Sequence, residues 1–194
     1  MIEPSKRLGE DEEMEVILPY SGKPFGVPNN VYIIGTMNTA DRSIATIDTA
    51  LRRRFYFKEM LPNPDVLKDV YVEDISISEL LTRINKRIAV LYDREHTIGH
   101  AYFMSLKASP TIDALAKIFE NNIIPLLQEY FYEDYEKIRL VLGDNKKDEE
   151  TQFIVAKSND YTELFGNVDI GLDDGYSYEI NKKAFDNIEA YRSI

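Results

Sequence analysis

Apolar positions along the chain change their period, and the changes mark out its elements. Met14 to Leu18 alternates weakly, as a strand does, and Pro19-Tyr20-Ser21-Gly22-Lys23-Pro24 supplies turn chemistry before a return strand at Phe25 to Val27. Pro28-Asn29-Asn30 is a second break. Val31 to Thr36 is short, β-branched and apolar almost throughout, the pattern of a strand covered on both faces of a parallel sheet. A short helix is expected next, with Ser43 placed to cap it before Ile44, Ile47 and Leu51. Phe55-Tyr56-Phe57 reads as another strand, closed by Leu61-Pro62-Asn63-Pro64.

From about Ser78 the period becomes helical. Leu80, Ile84, Ile88 and Leu91 share one stripe, with Arg83, Lys86 and Arg87 elsewhere. A second helical region runs from Ile112 to Leu142. Pro125 inside it removes a backbone donor and crowds the preceding turn, so two helices or a kink are expected. Gly143-Asp144-Asn145 is a stop signal. Lys146 to Glu150 reads as a charged loop and Gln152 to Ala156 as a strand, while the tail from Asn159 mixes aromatic and acidic residues.

Composition narrows the class. A length of 194 residues allows one domain or two small ones, and 44% apolar with 29% charged residues is ordinary for a globular chain. No apolar run is long enough to span a bilayer and no signal-peptide pattern opens the chain, so no membrane role is expected. The absence of cysteine excludes disulfides and thiolate metal sites and fits a cytoplasmic protein. A net charge of −11 argues against direct DNA binding, which needs clustered Lys and Arg; only Arg52-Arg53-Arg54 forms a basic tract.

Three clusters carry candidate chemistry. Asn38 stands just beyond the Val31–Thr36 strand, where ligands sit in open α/β sheets, and an amide there can hold a water against a phosphate without titrating. It could equally close a turn. Asp41 and Arg42 follow it, either as part of the same loop or as a local salt bridge. Arg52 to Arg54 end the next helix; they suit either phosphate binding or simple capping of a helix C-terminus. His96 and His100 lie four apart in Asp93-Arg94-Glu95-His96-Thr97-Ile98-Gly99-His100. A zinc protease pattern needs Glu directly after the first His, and Thr97 stands there, so no metal site is expected. Ala89 to Glu95 imitates an apolar strand followed by acids, but its period is helical and Arg94 splits the carboxylates.

Met37-Asn38-Thr39-Ala40-Asp41-Arg42-Ser43 resembles the Met-Asn-x-x-Asp-Arg signature of McrB-like AAA+ GTPases, and with Ala50 to Phe55 and the Asp93–Phe103 segment the resemblance covers roughly residues 8–145. It implies an α/β fold class. Residues 1–75 would be the C-terminal part of an AAA+ core, a partial parallel sheet with helices that carries the sensor-1 strand and arginine-finger helix. Residues 76–145 would be a mostly helical lid, and 146–194 a small β-containing extension. Asn38 would orient the attacking water, Asp41 and Arg42 would shape the catalytic loop, and Arg53 or Arg54 would be the finger, positioned by Asp48. Arg94 or His100 in the lid would contact nucleotide or hold the lid hinge.

The same resemblance implies GTP (or ATP) and Mg2+ in the complete protein, ring self-association and a McrC-like nuclease subunit acting on modified DNA. None of the nine glycines satisfies Gly-x-x-x-x-Gly-Lys-Ser/Thr, and no apolar strand ending in Asp-Glu precedes Asn38. By the resemblance, Met1 would follow the missing phosphate loop and magnesium strand. The chain alone is therefore expected to bind no cofactor and to be inactive. The alternatives are a non-catalytic interaction module derived from the same fold, and an ATP-using relative of the MoxR type.

Overall fold

A computed structural model describes residues 1–37, 52–159, 166 and 175–194. The chain divides into two compact units, Met1–Met60 and Leu61–Ile194.

The first unit is small and open. Strands β1 (Val16–Ile17) and β2 (Pro24–Phe25) pair antiparallel, with Val16 opposite Phe25. The expected hairpin is present, and Gly22 (φ +63°) donates its amide to the Leu18 carbonyl at 2.9 Å. Leu8 bridges Pro28 in parallel fashion, with the Leu8 amide on the Val27 carbonyl at 2.9 Å. That approach needs Gly26, because a Cβ there would collide with the Leu8 side chain. Arg7 ties the unit together through carbonyls, donating to Val31 at 2.6 Å and to Ile2.

Val31 to Thr36 is not a strand, contrary to its pattern, and neither is Phe55 to Phe57. The physical reason is a lack of neighbours. An apolar run becomes a buried strand only when flanking strands take its backbone bonds, and none of the described residues supplies them. Tyr32 and Ile34 are 89% and 93% exposed as a result. The expected parallel sheet is likewise absent among the described residues; their three sheets are two-stranded and antiparallel.

The second unit holds the core. A short hairpin, β3 (Tyr71–Val72) and β4 (Ile75–Ser76), leads into helix α1 (Ile77–Leu91). Ser76 caps it by accepting the Glu79 amide at 3.4 Å, and the acidic Glu79 suits the positive helix end. The stripe expected from sequence is the buried face: Leu80, Ile84 and Ile88 are sealed, joined by Ile77 and Leu81. A 3-10 segment, His100–Lys107, precedes α2 (Ile112–Ile118), capped by Thr111.

Pro125 does not break the second helical region. Phe119–Ile123 widens into a π turn, and α3 (Ile124–Phe131) then begins with Pro125 in its first turn. The wider turn relieves the missing donor and the ring clash that prolines impose. The interruption comes later, at Tyr132 and Glu133, both with φ above +50° or equal to it (50° and 61°). Asp134 then caps α4 (Tyr135–Leu142) by accepting the Lys137 amide at 3.2 Å. Gly143 (φ +76°) closes α4, as its sequence context predicts.

Strand β5 (Ile154–Ser158) pairs antiparallel with β6 (Tyr176–Ile180), and α5 (Lys182–Phe185) and α6 (Ile188–Arg192) follow. This tail is built into the core of the helices. Phe119 stacks on Phe153 at 5.5 Å and meets Tyr191 edge-on at 4.9 Å, and Phe153 also packs on Phe185. Beneath them lies a sealed ion pair: Lys147 Nζ reaches Asp144 Oδ1 at 2.9 Å, both side chains having no exposure. Asp144 Oδ2 accepts the Ile154 amide at 2.9 Å, and Lys147 lies 4.5 Å from the Phe153 ring centre.

Candidate functional site

Asn38, Asp41, Arg42 and Asp48 lie outside the described residues. Arg52, Arg53 and Arg54 are all exposed. Arg54 Nε donates to Glu3 Oε1 at 2.6 Å, and that bond holds the Glu3 carboxyl below its ordinary value. Arg52 lies over the Phe57 ring, 5.6 Å from its centre. Arg7 and Arg54 line one open cleft of about 420 Å³ with Ile2, Tyr32 and Tyr56.

The third expected cluster, Asp93 to His100, is a turn built largely by side chains that bond to backbone. Asp93 Oδ1 accepts the amides of Glu95 at 2.8 Å and His96 at 3.0 Å, and meets His96 Nδ1 at 2.7 Å. Burial works against the Asp93 charge, but the bonds from the His96 ring and amide prevail and its carboxyl sits below the usual aspartate value. His96 is 8% exposed, wedged edge-on between the rings of Tyr92 at 4.4 Å and Tyr130 at 4.9 Å. Burial pushes the Tyr130 phenol up to about 12. Thr97 Oγ1 bonds the Arg94 carbonyl at 3.0 Å.

Asn85 completes the turn from the neighbouring helix. Its amide nitrogen donates to the Ile98 carbonyl at 2.9 Å and its oxygen accepts the Ile98 amide at 2.7 Å. The pair reproduces the exchange between two bonded residues of an antiparallel sheet. Ile98 is sealed beneath it. Arg94 and Glu95 stand at the outer tip of the turn; their side chains keep 61% and 41% exposure and lie 3.8 Å apart.

His100 accepts the Asn63 amide on Nδ1 at 3.0 Å. A nitrogen that accepts carries no proton, so Nε2 is the ring's donor in this arrangement. The two histidines thus have separate tasks, one inside the turn and one tied to the segment ahead of the helices. What the site can do chemically is present a guanidinium from a fixed backbone, with an imidazole donor nearby in sequence.

Asn85 was not singled out in the sequence, though a signal existed. It shares a helix face with Leu81 and Ile88, and a lone amide on an apolar stripe needs partners. Nothing in the sequence said that those partners would be the backbone of Ile98.

Comparison with known proteins bears on residues 76–139, which match the family model described as McrB, alpha-helical lid domain. Over 142 residues the chain is 39% identical to the Type IV methyl-directed restriction enzyme EcoKMcrB subunit of Escherichia coli (strain K12). The alignment takes in 63% of this chain and 31% of that relative, so the chain spans about a third of the relative's length. With α1 to α4 filling the matched stretch and the identity extending well beyond its size, the chain is McrB-like, with an alpha-helical lid at residues 76–139.

Proposed function

We propose that this chain is the sensor-loop, finger and lid portion of a McrB-type AAA+ GTPase. The observation that carries the reading is the lid match at residues 76–139, with the Met-Asn-x-x-Asp-Arg signature ahead of it at residues 37–42. The exposed apolar run at Val31 to Thr36 supports it too, because such a segment suits the centre of a sheet completed by further strands. In the complete assembly Asn38 orients the attacking water, Asp41 and Arg42 shape that loop, and Arg53 or Arg54 reaches a neighbouring subunit's phosphates with Asp48 behind it. Ring formation, GTP rather than ATP as fuel, and a McrC-like nuclease acting on modified DNA belong to the same proposal, as does a cytoplasmic location.

Magnesium would neutralise phosphate charge in that assembly. Among the described residues no group of three His, Asp or Glu side chains is placed to hold a metal. This chain's part is to orient and to close. We expect it to be inactive alone.

Calorimetric titration of the purified chain with GTP and with ATP, each with magnesium, tests this. Silence with both nucleotides agrees with a motor part that needs a phosphate loop. Tight binding of either removes the proposal. In the complete protein, Asn38→Ala should lower turnover while sparing nucleotide binding, and unchanged turnover would withdraw the role given to Asn38.

A further inference from the structure

We propose that Asn85 is a positioning residue for the nucleotide: by clamping Ile98 it fixes the Asp93–Gly99 turn so that Arg94 is presented to phosphate in one prepared geometry. This rests on the reading of residues 76–139 as a nucleotide-covering lid.

The backbone of the turn is held at three points by side chains, and the buried His96 ring, bonded to Asp93 and seated between Tyr92 and Tyr130, adds a fourth hold. Asp93 gathers the Glu95 and His96 amides at its start, Thr97 takes the Arg94 carbonyl, and Asn85 takes both polar groups of Ile98 at its end. The first two holds are local and travel with the turn. Asn85 alone, among the three, anchors it to another element, thirteen residues back on helix α1. That helix is fixed by the sealed Leu81, Ile84 and Ile88 around Asn85. The position of Arg94 is therefore referred to the core of the lid by hydrogen bonds through Asn85, and by ring packing through His96 on Tyr130.

The cost of binding an anion with an arginine falls when its backbone is already ordered, because less conformational entropy is lost on contact. The Arg94 side chain remains 61% exposed, 3.8 Å from the Glu95 carboxylate, so an incoming phosphate competes with that exposed ion pair. An anchor that acts before the nucleotide arrives changes binding, with the chemical step untouched.

Asn85→Asp is the chosen variant. It has the same shape and still accepts the Ile98 amide, but it loses the donor to the Ile98 carbonyl and sets a charge against that oxygen. The enzyme to use is the GTP-hydrolysing assembly that contains this chain, with Arg94→Ala and the double variant beside it. With one bond of the clamp lost and another strained, KM for GTP should rise roughly five-fold to ten-fold in N85D with kcat unchanged. R94A should raise KM at least as far, and the double variant should be no worse than R94A, since a clamp has nothing to position once Arg94 is gone. Amide hydrogen exchange on the isolated chain should show faster exchange at Glu95 and His96 in N85D.

An R94A enzyme with wild-type KM removes the nucleotide-contact reading and the proposal with it. Raised KM in R94A beside a wild-type KM in N85D overturns the proposal alone. Additive losses in the double variant, or loss of kcat with KM unchanged, would make Asn85 a general structural residue and overturn it as well.

Discussion

Neutralising Asp144 should destabilise the second unit more than any exposed ion pair of the chain would. In Asp144→Asn the shape is kept and the amide oxygen can still accept the Ile154 amide, so packing is not the variable. What changes is that Lys147, its side chain wholly sealed, loses its counter-charge and faces an NH2 group at about the same distance. Burial already pulls the Lys147 ammonium below its ordinary value and Asp144 opposes that pull, with Arg87 adding like-charge repulsion. Breaking a buried pair by removing one partner costs about 3–5 kcal/mol. The lower end is the better figure here, since the Ile154 bond survives. For a unit of about 130 residues, ~3 kcal/mol lowers the melting midpoint by about 10 °C.

Thermal melting followed by far-ultraviolet circular dichroism reads this directly. The companion variant Asp144→Asn with Lys147→Met should recover most of the loss, because the stranded ammonium is then gone and the methionine can lie against Phe153. If D144N melts within about 2 °C of wild type, the pair contributes no more than a surface contact, and the account of the core is wrong. A double variant no more stable than D144N would refute the explanation by stranded charge.

Gly143→Ala should cost about 1–2 kcal/mol, since φ is +76° and the added Cβ would meet Arg87 Nη1 at 3.0 Å and the Ser193 carbonyl at 3.1 Å; urea unfolding measures it. Asp134 lies below its ordinary value through its bond to Lys137, and Asp93 lies below through the outcome described for the turn. A depressed carboxyl gives stability that is present above the unfolded value, 3.8, and lost as pH falls through the folded one. Melting midpoints should thus fall in acid below that value, and less steeply in a D93N/D134N variant. On the proposed function, the bond of Arg54 to Glu3 within its own chain favours Arg53 over Arg54 as the finger. Arg53→Ala should lose on the order of 10³ in turnover of the complete GTPase, and Arg54→Ala only a few-fold. Equal losses would refute the distinction.

Periodicity revealed the helical half of this chain well, because α1 and α4 bury one apolar stripe each and their ends carry local signals, Ser76 and Gly143. Local signals do not reach across space. Val31 to Thr36 has the composition of a central strand, but its state depends on neighbours that the run itself does not encode. Pro125 announced a disturbance and left open how it would be absorbed, since a widened turn and a break satisfy the same missing donor. The tail from Asn159 was opaque because Phe185 and Tyr191 acquire meaning only against Phe119 and Phe153. Among the candidate site residues, Arg94 and His100 were legible as polar chemistry ahead of the second helical region. The hold of Asn85 on Ile98 was not, being a contact between a helix face and a loop backbone.

The bidentate bond of Arg192 to Asp74 joins residues 118 positions apart, with Tyr191 and Ile194 sealed beside it. Like this bond, the packing of Phe185 and Tyr191 on Phe153 and Phe119 closes only once the last residues have emerged in synthesis. Helices α1 to α4 can form as they leave the ribosome, but Phe119 has no complete aromatic surround until residues 185–194 have also emerged. For that interval the apolar faces of these helices lack their aromatic cover, and contacts that span most of the unit are slow to close. Shortening the chain at residue 139 would make the interval permanent.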